Sequence, residues 1–145
     1  MRPSCLYKVL VVDDDPAFAD MIADNLAMEN YQIQKEYGGN AALRAVVAYQ
    51  PDLIVTDVKM PDLDGWQLYE KTRSMKPHPL FIFMTGFGSI PDATDSIKKG
   101  VFDYLEKPFT IQKLKHVVRA ALDHLDILGE NRSLKGKLDN LQDQY

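Results

Sequence analysis

A chain of 145 residues suggests one domain with room for an extension, and its 46% apolar share is enough to fill a proper core. Seventeen basic against 21 acidic residues leave a net charge of −4, which speaks against broad nucleic-acid binding, since that needs a basic surface. A single cysteine, Cys5, excludes an intramolecular disulfide and fits a reducing cytoplasm, no apolar stretch approaches the roughly 18–20 residues of a membrane span, and the N-terminal apolar run is too short for a signal peptide.

The first strand is expected over Tyr7–Val12, where VLVV is apolar throughout. Asp13, Asp14 and Asp15 follow it. Asp15 then Pro16 reads as a helix N-cap with proline at the first helical position. Phe18, Ile22 and Leu26 recur at helical spacing behind that cap. A second strand over Tyr31–Glu36 leads through Gly38-Gly39 to a helix over Ala41–Tyr49, which stops before Pro51. The third strand, Leu53–Thr56, reads LIVT and ends at Asp57. Asp64 caps the next helix, Asp64–Ser74. The fourth strand, Leu80–Met84, ends at Thr85, and a helix over Ile90–Lys99 stops at Gly100. A fifth strand, Val101–Leu105, runs into Lys107, and Thr110 can cap a last helix.

Strand and helix thus alternate five times, which predicts an α/β fold with a doubly wound parallel sheet and helices on both faces. Three of the strand runs, VLVV, LIVT and LFIFM, are almost wholly apolar and agree, because a strand covered on both faces has no polar side.

In such sheets ligands bind outside the carboxyl ends of the strands. Here those ends deliver Asp13, Asp14 and Asp15, then Asp57, then Thr85, then Lys107. Crowded carboxylates repel unless a cation sits among them, and oxygen donors select a hard ion such as magnesium, or manganese. A lysine supplies a compact positive charge for phosphate oxygens, and a threonine hydroxyl can donate to one. An aspartate can itself attack phosphorus and form an acyl phosphate.

Four segments in this order resemble the receiver domain of bacterial two-component response regulators. They are VLVVDDDP, PDLIVTDVKMPDLDGWQL, FIFMTGFGS and KKGVFDYLEKPFT, over roughly residues 7–125. The resemblance implies a flavodoxin-like (βα)5 sandwich with strand order 2-1-3-4-5. It places Asp57 as phosphoacceptor, Asp13 and Asp14 as the acidic pair at a Mg2+ (or Mn2+) ion, and the Lys59 backbone carbonyl as a third protein ligand. Thr85 becomes the switch hydroxyl, Tyr104 the switch aromatic and Lys107 the phosphate-pairing lysine. Pro108 falls where the family uses a cis peptide bond. The function implied is a signalling switch, phosphorylated by a partner histidine kinase, with no enzymatic turnover beyond its own phosphorylation and dephosphorylation.

The remaining polar residues read as structural. Asp62 and Asp64 suit turns and caps, Asp52 the start of a strand. His78, His116 and His124 lack metal-ligand spacing. Trp66 suits packing, and Gly86 and Gly88 suit a loop that lets Thr85 reorient. A haloacid-dehalogenase-type phosphohydrolase also uses an aspartyl phosphate in a D-x-D-x-[TV] motif. Asp13 and Asp15 fit that motif, but Ala17 stands in place of its last residue.

The receiver is expected over residues 1–125, with 126–145 extending the fifth helix. Heptad positions put Val117, His124, Asn131, Leu138 and Tyr145 at a, and Ala120, Ile127, Leu134 and Leu141 at d. That pattern predicts a short coiled coil and a homodimer, with Asn131 favouring a parallel pair. The E-N-R-S-L-K segment is similar to NtrC-type transcriptional activators, in which ATPase and DNA-binding domains follow. No phosphate loop or downstream helix-turn-helix occurs here, so the sequence reads as a fragment of a cytoplasmic regulator. A stand-alone receiver is the alternative.

Overall fold

The computed structural model describes residues 7–29, 31–76, 78–86 and 100–144, with side chains as far as residue 128. Its strands are β1 (Lys8–Val12), β2 (Gln32–Glu36), β3 (Leu53–Asp57), β4 (Leu80–Thr85) and β5 (Asp103–Glu106). The helices are α1 (Pro16–Ala27), α2 (Gly39–Tyr49), α3 (Gly65–Thr72) and α4 (Ile111–Gln144). The strands form one parallel sheet in the order β2-β1-β3-β4-β5, as expected. The helix expected at Ile90–Lys99, Cys5 and Gly88 lie outside the described residues.

Alternate strand residues serve two separate cores, because successive side chains point to opposite faces. Val9, Val11, Leu53, Val55, Ile82, Met84 and Leu105 meet the apolar stripes of α1 and α4. Leu10, Val12, Ile54, Phe81 and Phe83 meet α2 and α3 on the other face. Both faces being covered is what makes β1, β3 and β4 almost wholly apolar, whereas the edge strands β2 and β5 keep polar residues.

Element boundaries moved where distant groups intervene. Helix α2 begins at Gly39 rather than Ala41, because Asp62, far along the chain, accepts from the Gly39 and Asn40 amides at 3.1 and 3.0 Å. Those amides would otherwise lack partners at a helix start. Helix α3 starts one residue after its cap: the Asp64 carboxylate accepts from the Gln67 amide while the Gln67 side chain accepts from the Asp64 amide. Strand β5 lies later than expected, at Asp103–Glu106. Gly100 turns the chain at φ 107, and only from Asp103 does the backbone run in register with Ile82 of β4. The caps at Asp15 and Thr110 form as expected. The Asp52 carboxylate accepts from the Lys8 amide at 2.9 Å and so ties the start of β1 to that of β3.

Helix α4 is continuous from Ile111 to Gln144. Its first part belongs to the domain: Leu114, Val117, Val118, Ala121 and Leu122 are buried in the first core. Val117 therefore cannot open a seam to a second chain, correcting the heptad assignment at its first position. Ile127, at a d position beyond these residues, is 54% exposed. The Tyr7 hydroxyl donates to Asp126 and links the foot of β1 to α4 near that point.

Gly39 packs where no side chain fits: a Cβ there would lie 1.9 Å from the Leu63 carbonyl oxygen and 2.5 Å from the Leu63 Cβ. Gly39→Ala is expected to destabilise the domain by about 1–3 kcal/mol, the usual range for overpacking. A urea titration should show a lower midpoint with an unchanged slope; an unchanged midpoint would refute the packing account.

Candidate functional site

The carboxyl ends of β1, β3, β4 and β5 meet on one edge of the sheet. Asp13 follows β1 directly and is only 1% exposed. Asp57 is the last residue of β3 and half-buried, whereas Asp14 is exposed. One carboxylate oxygen from each of these three lies within 4.8 Å of the others, the arrangement of a possible metal site.

Lys107 reaches the site from just beyond β5. Its Nζ lies 2.8 Å from Asp13 Oδ2 and 3.4 Å from Asp57 Oδ2. The other oxygen of each carboxylate faces a backbone amide: Asp15 N donates to Asp13 Oδ1 at 2.9 Å, and Lys59 N to Asp57 Oδ1 at 3.4 Å. Each acid thus has one oxygen on the chain behind it and one on the shared ammonium. The Lys107–Pro108 peptide is cis.

Thr85 ends β4 and is 3% exposed. Its carbonyl accepts from the Lys107 amide at 2.7 Å, and the Met84 carbonyl accepts from Val58 N at 3.1 Å. The end of β4 is therefore pinned on one side to the residue after Asp57 and on the other to Lys107. Tyr104 lies in β5 opposite Phe83 and packs, partly buried, against the second core.

Burial and the neighbouring charges both act on ionisation. Burial raises the Asp57 carboxyl above the ordinary carboxylate range; Lys107 pulls it down, and Asp13 pushes it up again. Burial works against the Lys107 cation, but the Asp13 hydrogen bond and the charges of Asp57 and Asp13 outweigh it, so its pKa is raised. Oxygen donors that hold excess negative charge in a half-buried space suit a small divalent cation. Asp13, Asp14 and Asp57 have the chemistry to hold one.

Two contributors to this geometry carry no sequence signal. Gly65 lets α3 approach β3: a Cβ there would lie 2.8 Å from the Asp57 carbonyl oxygen. Phe18, read from its spacing as a core residue, also places its ring 4.4 Å from Lys107 Nζ. The structural reading of other residues holds. Trp66 packs edge-on against Phe83 and Tyr69. His78 sits among Tyr69, Phe81 and the Thr72 hydroxyl, and burial lowers its pKa. His116 is exposed on α4, and the exposed His124 places its ring centroid 5.5 Å from that of Phe102.

Residues 9–119 match the family described as the response regulator receiver domain. Relatives include the transcriptional regulator RpaA of Synechocystis, 33% identical over 121 residues, covering 82% of this chain and 50% of that protein. NtrC-type regulators are among them too. NtrX of Azorhizobium caulinodans is 31% identical over 131 residues, which is 89% of this chain and 29% of that protein. The chain thus spans at most about half the length of these relatives. Among solved structures, a receiver domain protein of Clostridium thermocellum superposes with a TM-score of 0.79 at 30% identity, covering 85% of this chain and 99% of that one. NtrX of Brucella abortus gives 0.82 at 29% identity, over 88% of this chain and 29% of that one.

The raised Asp57 carboxyl has a stability consequence. An acid whose folded pKa exceeds its unfolded value destabilises the fold when ionised. The penalty is absent below the unfolded pKa, near 4, and grows as the pH rises through the folded value. In metal-free protein at neutral pH, Asp57→Asn is expected to raise the thermal midpoint by a few degrees. The gain should fade as the pH falls below about 4. Calorimetry in a chelating buffer measures it; equal midpoints at neutral pH would contradict a burial penalty on the ionised Asp57.

Proposed function

The chain belongs to the response regulator receiver domain family, and from that premise we propose that it is a phosphorylation-operated switch with Asp57 as phosphoacceptor. The observation that carries this reading is the meeting of Asp57 with Asp13, Asp14 and Lys107 at one end of the sheet. The donor is a partner histidine kinase. An Asp57 carboxylate oxygen attacks phosphorus, the new O–P bond forms, and the N–P bond to the kinase imidazole breaks with its electron pair going to nitrogen.

Asp13, Asp14, Asp57 and the Lys59 backbone carbonyl would hold a magnesium ion. Once bound, such an ion offsets the negative charge of the reacting oxygens and of the transferring phosphoryl group. Lys107 pairs with a phosphoryl oxygen, giving up part of its contact with Asp13. The Thr85 hydroxyl donates to another oxygen, and Tyr104 repacks beside β4. Because Lys107 N and Thr85 O are hydrogen-bonded, a change at the phosphate reaches β4 and β5 together. The chemistry begins and ends on the protein's own aspartate, so the chain is a switch rather than an enzyme of outside substrates.

The switch reading predicts a base-labile mass gain of one phosphoryl group on incubation with magnesium and acetyl phosphate. Asp57→Asn should abolish the gain, and Asp13→Asn should raise the magnesium concentration needed. A phosphohydrolase would show the opposite, losing the label with Asp13→Asn and keeping it with Asp57→Asn.

We further propose a receiver domain over residues 1–125 and a helical linker over 126–145 that pairs two chains in the cytoplasm, with transcription as the regulated output. Helix α4 runs unbroken to Gln144, and Ile127 is exposed at a d position. Analytical ultracentrifugation should find a dimer at high micromolar concentration. A monomer both with and without a phosphoryl mimic would overturn the pairing.

A further inference from the structure

We infer that Phe18 is a positioning residue for Lys107, holding its ammonium group at the acceptor site through a cation–π contact. The inference rests on the reading of Asp57 as phosphoacceptor. Lys107 Nζ lies 4.4 Å from the centre of the Phe18 ring, inside the roughly 6 Å over which a ring face attracts a cation. Its other two directions are taken by Asp13 at 2.8 Å and Asp57 at 3.4 Å. The lysine side chain is still 26% exposed, so without a further partner its long stem has solvent conformations open to it.

The ring is itself held in place. Phe18 packs edge-on against Phe109, with centroids 5.7 Å apart, and both are partly buried against the first core. Its backbone sits in the first turn of α1, where Asp15 accepts from the Ala17 and Phe18 amides at 3.1 and 3.5 Å. The acidic run that supplies Asp13 and Asp14 therefore also fixes where the ring stands. Phe109 comes two residues after Lys107, so the ring is clasped by the same loop whose ammonium it contacts.

An aromatic face suits this place for a chemical reason. A carboxylate there would attract the ammonium but compete with the incoming phosphoryl oxygens. An aliphatic side chain would exclude water without attracting the charge. The π face does both, and it stays in contact as Lys107 shifts from Asp13 towards phosphate. Its effect is to raise the fraction of time the ammonium stands ready, which enters the rate directly.

The test replaces Phe18 by mono-, di- and trifluorinated phenylalanine, which keep the ring's shape while draining its face of negative charge. The phosphorylation rate is measured at saturating magnesium with acetyl phosphate, alongside magnesium affinity and thermal midpoint. The rate should fall with each fluorine, by about three- to tenfold in total, while magnesium affinity and the midpoint stay level. Phe18→Tyr should keep the rate within about twofold, and Phe18→Leu should match the trifluorinated ring. A flat rate across the series, in protein labelled on Asp57, would overturn the positioning role and assign Phe18 to packing alone. A fall matched by weaker magnesium binding would overturn it as well. Labelling that survives Asp57→Asn would instead refute the acceptor reading on which the inference stands.

Discussion

The pairing of one ammonium with two carboxylates is the contact on which the site depends. Asp13 is almost wholly buried, and an uncompensated charge there would be costly. Lys107 meets it at 2.8 Å and shares itself with Asp57. With three acids and one lysine the cluster keeps an excess of negative charge, and burial holds the Asp57 carboxyl above its ordinary range against the pull of Lys107. A group so placed is responsive: adding a cation or a phosphoryl group alters the balance, and Lys107 has more than one partner to choose from.

The sheet makes that pairing possible. Parallel strands put all their carboxyl ends on one edge, so residues 13, 57, 85 and 107 converge despite their separation along the chain. Two separate cores fix the strands in register through alternate side chains. Close backbone approaches complete the frame. Gly39 lies against Leu63, and Gly65 against the carbonyl of Asp57. The rigid part of the molecule thus ends where the charged part begins.

The ends of β3, β4 and β5 are also linked to each other. Val58 N donates to Met84 O and Lys107 N to Thr85 O, so the backbone of β4 is bound to both neighbours beside the acids. Phe18 adds a contact from the first helix, joining α1 to the loop after β5. The aspartates therefore stand within a connected set of strand ends and helix starts.

Much of this was legible in the chain. The apolar strand runs, the Asp15-Pro16 cap and the alternation of strand with helix reflect local preferences, and they gave the fold class and nearly all element positions. The acids and the lysine were visible because each directly follows a strand, and strand ends share an edge. What local sequence could not hold were effects between residues far apart. Asp62 capping α2, Gly65 making room at Asp57, and Val117 turning inward rather than to a second chain all depend on how elements pack. So too for Phe18: its spacing marks an inward-facing helical residue, while its place over Lys107 is decided by the sheet that brings residues 18 and 107 together. The sequence by itself determined which groups stand at the strand ends, because that follows from hydrogen-bonded periodicity. Only the tertiary structure decided which of them touch, because distances across a sheet depend on registry and packing.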